Sequence, residues 1–250
     1  MEETTSSVIH KEAYRNYYTT HFGKYQRLDP ADTLGYYGVA FSAALPPDKT
    51  ARILELGSGL GKFAYFLKVS GYTDVTCVDI SPELAALAKE HAGVEVRVVE
   101  EPMDFLRTQP ENSYDRVFLL DVIEHIRKEK VLEYLALIRR VLKQGGILHV
   151  TTENIASPVG GRIQQYLDFT HEYNYSEVSL RQALETAGFR KVEIHGQPEY
   201  FYGIRSVFYW LARKALYLAY RVIYEVERPG MVNPVIYSKE LAASAVKETN

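Results

Sequence analysis

The sequence predicts an α/β fold built on a doubly wound, mostly parallel β-sheet. From Ala51 to about Gly196, short apolar runs alternate with segments whose apolar residues recur at helical spacing. Short continuous apolar runs are typical of strands that are buried on both faces, and strand–helix alternation favours parallel order. The chain has 250 residues, of which 46% are apolar and 24% charged, so it is long enough for one substantial soluble core.

The strands and helices follow one another in a regular order. The strand-like runs are RILELG, VTCVDI, VEVRVVE, DRVFLLD, ILHVTTEN and KVEIHG. The helix-like segments are KFAYFLKVSG, SPELAALAKEHAG, KVLEYLALIRRVLKQGG and SEVSLRQALETAGF. Ser81 and Pro82 predict a helix start, because Ser caps a helix and Pro is tolerated at its first position. Gly145 and Gly146 predict a helix end.

The flanks of this core divide the chain into four regions. Residues 1–50 are rich in Tyr and predict short helices over the carboxyl edge of the sheet, an N-terminal lid. Residues 51–198 are the predicted core and residues 199–230 a helical insertion. Residues 231–250 contain PVIYSKELAASAVK, which predicts a final strand that completes the core.

Charge, cysteine content and hydropathy exclude several classes of function. The net charge of −3 gives no basic field for nucleic acid. The single cysteine, Cys77, cannot form an internal disulfide, which fits a reduced compartment. The N-terminus lacks the pattern of a secretory signal, and no run of 18 apolar residues predicts a membrane-spanning helix. These features predict a cytoplasmic protein.

A glycine-rich turn, ILELGSGLGKF, follows the first strand and opens a helix. Gly57, Gly59 and Gly61 allow positive φ angles and close approach of a ligand to the backbone. Their spacing fits neither a phosphate-binding loop nor a dinucleotide site. The carboxylate of Glu55, two residues before the first glycine, would repel a diphosphate. Asp79 ends the next strand, where an acid can accept hydrogen bonds from both ribose hydroxyls. S-adenosylmethionine, which carries an ammonium and a sulfonium but no phosphate, suits this acidic site best.

The motifs ELGSGLGKF, Asp79, DVIEH and LKQGGILHVTTEN, in this order, resemble the class I S-adenosylmethionine-dependent methyltransferases over roughly residues 50–196. The resemblance implies a Rossmann-like, seven-stranded sheet with an antiparallel last strand, and methyl transfer from S-adenosylmethionine. It also implies that Ile80 and Met103 lie against the adenine, with Glu101, or else Asp104, bonded to the adenine amine. The implied cofactor-binding residues are Glu55, Gly57, Gly59, Gly61, Asp79, Ile80, Glu101, Met103 and Asp121.

The stretch DVIEH lies at the carboxyl end of the fourth strand, the edge where open α/β sheets bind ligands. A helical turn there would put Asp121, Glu124 and His125 on one face. This trio predicts either a divalent-metal site or a general base, His125, oriented by an acid. The segment resembles the E-x-x-E-H segment of ubiquinone-biosynthesis O-methyltransferases, which implies a magnesium-type ion, although Asp121 is shorter by one methylene. A third alternative is that these groups only shape the cofactor pocket.

A second candidate segment, DFTHEYNYSEVSLRQAL, follows the fifth strand and faces the same edge. It resembles sugar O-methyltransferases, which show a similar segment before a helix. The resemblance implies His171 as the general base, with Asp168 beside it and a saccharide hydroxyl as the acceptor. The alternative is that His171 only belongs to a hydrogen-bond network. Asn154 is a further candidate for lining the pocket.

The insertion predicts one long amphipathic helix. Its apolar stripe consists of Ile204, Val207, Phe208, Leu211, Ala215, Leu218, Ala219 and Val222. The cations Arg205, Arg213, Lys214 and Arg221 lie on the other half with several aromatic residues, and no acid occurs from Phe201 to Tyr224. Such a helix suits a membrane interface. Alternatively, the apolar stripe packs on the domain or forms the contact of a homodimer.

These features together predict an S-adenosylmethionine-dependent methyltransferase that O-methylates a saccharide or glycoconjugate hydroxyl. One alternative is O- or N-methylation of a small molecule, such as a quinone, a phenol or a lipid amine. The other is a cofactor-binding scaffold without catalysis. The expected partners are the acceptor, the inner face of a membrane through residues 201–224, and a second copy of the chain.

Overall fold

The computed structural model describes residues 13–14, 17–21, 23, 29–158, 160–201, 203–230 and 236–248. Most of the predicted lid before residue 29, His10 and the start of the predicted last region therefore lie outside the described residues. Within them the chain forms one seven-stranded sheet, in the order β3-β2-β1-β4-β5-β7-β6. The strands are β1 (Ile53–Leu56), β2 (Val75–Asp79), β3 (Arg97–Val98), β4 (Tyr114–Leu120), β5 (Leu142–Glu153), β6 (Arg190–Gly196) and β7 (Glu240–Val246).

Strand direction confirms the predicted fold class. β1 pairs in parallel with β2 and β4, and the outer pairs β2–β3 and β4–β5 are also parallel. β7 runs antiparallel to both β5 and β6. The order reverses at β1, between β2 and β4, so the loops that leave these strands open a crevice at their carboxyl ends. The predicted glycine turn and the DVIEH stretch both lie at this crevice.

Nine helices flank the sheet in the part of the chain that the structure describes. They are α1 (Tyr17–Thr20), α2 (Leu34–Phe41), α3 (Lys62–Val69), α4 (Pro82–Leu87), α5 (Pro102–Thr108), α6 (Val131–Val141), α7 (Gly160–Leu167), α8 (Glu177–Thr186) and α9 (Ile204–Glu227). The predicted start of α4 is confirmed, since the Ser81 side chain accepts a hydrogen bond from the Leu84 N–H. The core between sheet and helices is apolar, with residues such as Leu54, Val117 and Ile138 fully buried.

Two N-terminal pieces pack against the core. Tyr14 and Tyr17 pack with Leu60, Ile80 and Leu84 over the glycine turn and the end of β2. Helix α2 packs through Phe41 on Phe63 of α3 and Phe118 of β4. Aromatic side chains here bury a large area while keeping a hydroxyl available at the crevice.

Helix α9 is the predicted helical insertion before the last strand, but its orientation contradicts one expectation. The apolar stripe does not pack on the domain. Ile204 is 88% exposed and Leu218 65% exposed, whereas Ser206 is the buried residue of the helix. The aromatic half of the helix faces the protein instead, because Tyr217 and Tyr220 contact Tyr237. No helix in the described part of the chain combines the length and apolar character needed to cross a membrane.

Candidate active site

The glycine turn between β1 and α3 depends on backbone conformations that favour glycine. Gly57, Gly59 and Gly61 have φ angles of +77°, +50° and +69°. A Cβ on Gly57 would lie 2.3 Å from Cγ2 of Val122, so the turn packs directly against the loop after β4. A Cβ on Gly59 would meet no atom within 4 Å. In this turn Gly57 is therefore tightly packed, whereas Gly59 borders open space that a ligand can occupy.

Asp79 is held at the end of β2 by backbone N–H groups from two loops. Its Oδ2 accepts a hydrogen bond of 2.7 Å from Gly59 N–H, and its Oδ1 accepts one of 2.8 Å from Ser81 N–H. Burial raises the pKa of this carboxyl, although the backbone donors oppose the shift. The glycine turn and the carboxylate are thus fixed relative to each other, as a ribose site needs.

Glu55 lies on β1 with its carboxyl fully enclosed by protein. Burial raises its pKa to about 8, although hydrogen bonds from Ser58 and Cys77 oppose this. Its Oε2 has no hydrogen-bond partner in the described structure. A buried carboxyl with an unused oxygen is costly unless a cation or donor reaches it. The ammonium group of S-adenosylmethionine meets this requirement, so the residues present fit that cofactor.

The residues predicted to contact the adenine lie in different surroundings. Ile80 lies under Tyr14 and Tyr17, and Met103 is buried in the main core. Glu101 caps α5, where its Oε1 accepts a 3.4 Å hydrogen bond from Met103 N–H. The Asp104 carboxylate is exposed and pairs with Arg107 along the same helix. Of the two predicted acids, Glu101 therefore caps the helix, while Asp104 is engaged in an ion pair on its surface.

Asp121 adopts an unusual backbone conformation, with φ of +53°. Its N–H donates to Thr151, and its Oδ1 accepts a 2.9 Å hydrogen bond from the Thr151 hydroxyl. Burial, and the negative charge of Glu240, raise the pKa of Asp121. A residue with positive φ cannot continue a helical turn from the strand. The expected common face of Asp121, Glu124 and His125 does not form.

Glu124 connects the two predicted segments. It is 1% exposed, and its Oε2 accepts a 2.9 Å hydrogen bond from the Thr152 hydroxyl. Its backbone carbonyl accepts hydrogen bonds from the N–H groups of Glu172 and Tyr173, at 2.8 and 3.1 Å. The loop that contains DFTHEY is therefore pinned to the loop that contains DVIEH. Burial, and then the charge of Asp121, raise the pKa of Glu124.

His125 is held by a chain of hydrogen bonds from Asp168. The Thr170 hydroxyl donates to Asp168 Oδ1 at 2.7 Å and lies 2.9 Å from His125 Nδ1. Although burial opposes it, hydrogen bonds from Tyr17 and Thr170 hold the pKa of Asp168 below its usual value, so the carboxylate is an acceptor. Since the hydroxyl has one proton, His125 Nδ1–H donates to it. The Thr170 carbonyl, an obligatory acceptor 3.3 Å from Nδ1, requires the same tautomer. In the neutral imidazole of His125 the lone pair is consequently on Nε2.

His171 lies beside His125, with ring centroids 4.7 Å apart in an edge-to-face arrangement. Its Nδ1 lies 3.2 Å from the carbonyl of Gln164, which fixes the proton on Nδ1 and the lone pair on Nε2. Burial lowers the pKa of His171, although Asp168 opposes the shift. The imidazole is therefore neutral near pH 7, the form that a general base requires.

The predicted metal set needs a correction. Donor atoms of Glu124, His125 and His171 all lie within 4.8 Å of one another, and this group does not include Asp121. Asp121 is wrong as a member because its carboxylate turns toward Thr151. Two imidazoles with one carboxylate suit transition metals such as Zn²⁺, Mn²⁺ or Fe²⁺ better than Mg²⁺, which prefers oxygen ligands.

Several site residues have no local sequence signal. Tyr17 donates a hydrogen bond to Asp168 Oδ2, and His21 Nε2 lies 3.3 Å from the same oxygen. The Tyr14 hydroxyl hydrogen-bonds to Thr170. Glu153, at the end of β5, has a pKa raised to about 7 by burial and by nearby acids. In the sequence, Glu153 could have been identified as a candidate only from its position at the end of an apolar strand.

Comparison with known proteins agrees with this geometry. Residues 53–146 match the family model described as a methyltransferase domain. A SAM-dependent methyltransferase from Archaeoglobus fulgidus superimposes with a TM-score of 0.61 at 20% identity, covering 87% of this chain and 92% of that one. The chain therefore shares the fold of that methyltransferase, and residues 53–146 are similar to a methyltransferase domain.

The relatives differ in the reactions that their names describe. A ubiquinone biosynthesis O-methyltransferase of Xanthomonas campestris is 32% identical over 122 residues, which cover 46% of this chain and 47% of the relative. The chain thus spans about half the length of the curated relatives it matches. A phosphoethanolamine N-methyltransferase of Haemonchus contortus, in complex with S-adenosyl-L-methionine, shares the fold with a TM-score of 0.61. It is 18% identical, covering 94% of this chain and 60% of that one.

Proposed function

We propose that this protein transfers a methyl group from S-adenosylmethionine to a hydroxyl of a quinol- or phenol-type small molecule. The observation that carries the proposal is the pair His125 and His171, whose rings lie 4.7 Å apart and whose Nδ1 atoms each lie near a backbone carbonyl. The saccharide acceptor expected from the sequence has no support among the relatives. Their name, a ubiquinone biosynthesis O-methyltransferase, supports the alternative quinone or phenol acceptor.

The cofactor is proposed to bind across the carboxyl ends of β1 and β2. Gly57 and Gly59 admit it to the backbone, and Asp79 accepts hydrogen bonds from the ribose hydroxyls. Glu55 supplies negative charge on the amino acid side, while Ile80 and Glu101 border the adenine. When bound, S-adenosylmethionine supplies a methyl carbon already activated by its sulfonium. The protein contributes binding, orientation and removal of one proton.

The acceptor proton is proposed to pass to Nε2 of one of the two histidines. As the acceptor oxygen forms its bond to the methyl carbon, the sulfonium–carbon bond breaks and the O–H proton moves to the imidazole. His125 is the better oriented of the two, because Thr170 and Asp168 fix its tautomer and stabilise the imidazolium that forms. Asp168, acting through Thr170, is thus analogous to the third residue of a catalytic triad, which orients the base and does not itself take the proton.

A second candidate acceptor is an amine. Asp121, Glu124 and Glu153 are carboxyls with raised pKa values, gathered near the carboxyl ends of β4 and β5. Bringing a cation among them would favour their charged forms and strengthen its binding. A histidine base would then take a proton from the bound ammonium before methyl transfer.

An acceptor panel tests the proposal. The purified chain would be incubated with S-adenosylmethionine labelled in the methyl group, against catechols and hydroquinones, monosaccharides, and primary amines. We expect labelled product with the phenolic acceptors. Labelled amine alone would favour the second candidate. Cofactor binding by calorimetry without any labelled product would contradict both and favour a scaffold that binds the cofactor without catalysis.

A further inference from the structure

Helix α9 packs on the domain with its aromatic side. Trp210 contacts Phe201 with ring centroids 6.1 Å apart, and Tyr220 meets Tyr237 edge-to-face at 5.7 Å. Tyr217 adds a second contact to Tyr237 at 6.4 Å. These residues are seven and three positions apart, so they share one face of the helix, which is anchored through its middle part.

The opposite face of α9 is apolar, with aliphatic side chains and Phe208, and it points to solvent; we call it the aliphatic row. Its large apolar side chains are 41% to 88% exposed: Ile204, Val207, Phe208, Leu211, Leu218, Val222 and Val226. A single exposed Leu needs no explanation, but a continuous row over six helical turns does. Leaving this area in water is unfavourable, so the row indicates a partner.

Cations border this aliphatic row on both sides. At 100° per residue, Arg205 falls on one flank of the row, and Lys214 and Arg221 fall on the other. No acid occurs from Phe201 to Tyr224, in a chain whose net charge is −3. Long basic side chains beside an apolar face can direct their charges toward lipid phosphates while their stems cover acyl chains.

We propose that this face of α9 docks on an anionic lipid bilayer, with the helix lying in the plane of the interface. Charge favours the bilayer over a second copy of the chain. A two-fold antiparallel pairing centred on the row would bring the Lys214 ammonium groups of both copies together. Anionic headgroups would instead neutralise Arg205, Lys214 and Arg221.

The docked helix would hold the candidate site at the membrane surface. Tyr237, on which α9 rests, lies between Ile236 and Ser238, and both of their carbonyls accept 2.9 Å hydrogen bonds from the Asn154 side chain. Asn154 directly follows the end of β5, where Glu153 lies. The segment that supports α9 is therefore tied to the carboxyl end of β5, next to the candidate site. Docking itself does not depend on the proposed reaction.

Vesicle flotation tests the inference. The full chain would be mixed with vesicles of phosphatidylglycerol and phosphatidylcholine, and separately with pure phosphatidylcholine. We expect co-flotation with the anionic vesicles, weakened by 0.5 M salt. Leu218→Glu should lower the partition coefficient about tenfold or more, which is the effect of one Leu leaving the apolar phase. Leu132→Glu, on α6 at 46% exposure, is the matched control and should float like the parent.

Three results would overturn the inference. The parent chain could stay at the bottom of the gradient with anionic vesicles. Leu132→Glu could lose binding as much as Leu218→Glu. Sedimentation could instead show a dimer that Leu218→Glu dissociates, without vesicle binding. Cofactor binding and turnover of a water-soluble acceptor, measured on the same variants, separate a failure of docking from a failure of the proposed reaction.

Discussion

The hydroxyl of Thr170 lies 2.9 Å from Nδ1 of His125 and donates its own proton to Asp168 at 2.7 Å. This contact determines the tautomer of the imidazole, since a hydroxyl that donates to a carboxylate can only accept from the ring. The Tyr17 hydroxyl reaches the same carboxylate from the N-terminal region. Thr170 is therefore a positioning residue that connects the N-terminal cover to the proposed base.

Replacing Thr170 tests this positioning role. We expect Thr170→Val to lower kcat about 10- to 100-fold, less than the loss of a whole general base, because His125 remains but loses its fixed tautomer. The affinity for S-adenosylmethionine should change less than threefold, since the cofactor residues are separate. Thr170→Ser keeps the hydroxyl and should retain most of the activity. Equal losses in Val and Ser variants would indicate a packing role only.

Proton release on cofactor binding tests the role of Glu55. With a pKa of about 8, this carboxyl is mostly protonated at pH 7 in the free protein. A bound cation favours the charged form, so cofactor binding should release up to one proton and tighten as pH rises from 6 to 8. Calorimetry in buffers of different ionisation enthalpy measures this release. Glu55→Gln should abolish it, and an unchanged release would remove Glu55 as the cause.

The raised pKa of Glu55 also predicts how the stability of the fold changes with pH. Between the ordinary Glu pKa of 4.5 and about 8, the folded state holds a proton on Glu55 that the unfolded state releases. Stability should therefore fall as pH rises through this window, and Glu55→Gln should flatten the fall. Urea unfolding at pH 5.5 and 8.5 measures the difference. Stability that rises in this window equally in both chains would contradict the assignment.

The two central glycines should respond differently to alanine. Gly57→Ala adds a Cβ 2.3 Å from Val122 at positive φ, and we expect it to destabilise the fold by about 2 kcal/mol or more. Gly59→Ala meets open space, so its cost should be about 1 kcal/mol, from the backbone alone. Its larger effect should be on cofactor affinity, because the methyl group fills the ligand space. Thermal unfolding and calorimetry on both variants measure this contrast.

Metal dependence separates the two uses of the histidine pair. If Glu124, His125 and His171 hold an ion, dialysis against a chelator should abolish turnover and Zn²⁺ or Mn²⁺ should restore it. We expect turnover to survive chelation, because His125 is already oriented by Thr170. Elemental analysis of the purified chain provides the control. A stoichiometric metal whose removal abolishes activity would replace the base mechanism with a metal-assisted one.

Local patterns were enough to predict that the glycine turn and Asp79 lie together. The turn follows β1 and Asp79 ends β2, so the parallel order of these strands brings them to one edge. Asp121 could not be assigned in this way, because its positive φ turns the carboxylate toward Thr151 on a neighbouring strand. The contact of Tyr17 with Asp168 joins positions 151 residues apart, which no short motif indicates.

Helix α9 illustrates a different limit of periodicity. Its spacing identified an aliphatic half and an aromatic, basic half, but it could not decide which half packs on the domain. Edge-to-face and tilted ring contacts with Phe201 and Tyr237 hold the aromatic half on the domain, and this arrangement leaves the aliphatic half outside. The result is the reverse of the usual amphipathic helix.

Transfer of labelled methyl groups to catechol-type acceptors tests the central claim most directly, when it is measured together with cofactor affinity. We expect the parent chain to form a methyl ether, and His125→Gln to lower kcat about 100-fold or more while S-adenosylmethionine affinity stays within threefold. His171→Gln should have the smaller effect. An acceptor that is methylated at the parent rate by the His125→Gln, His171→Gln double variant would contradict the account.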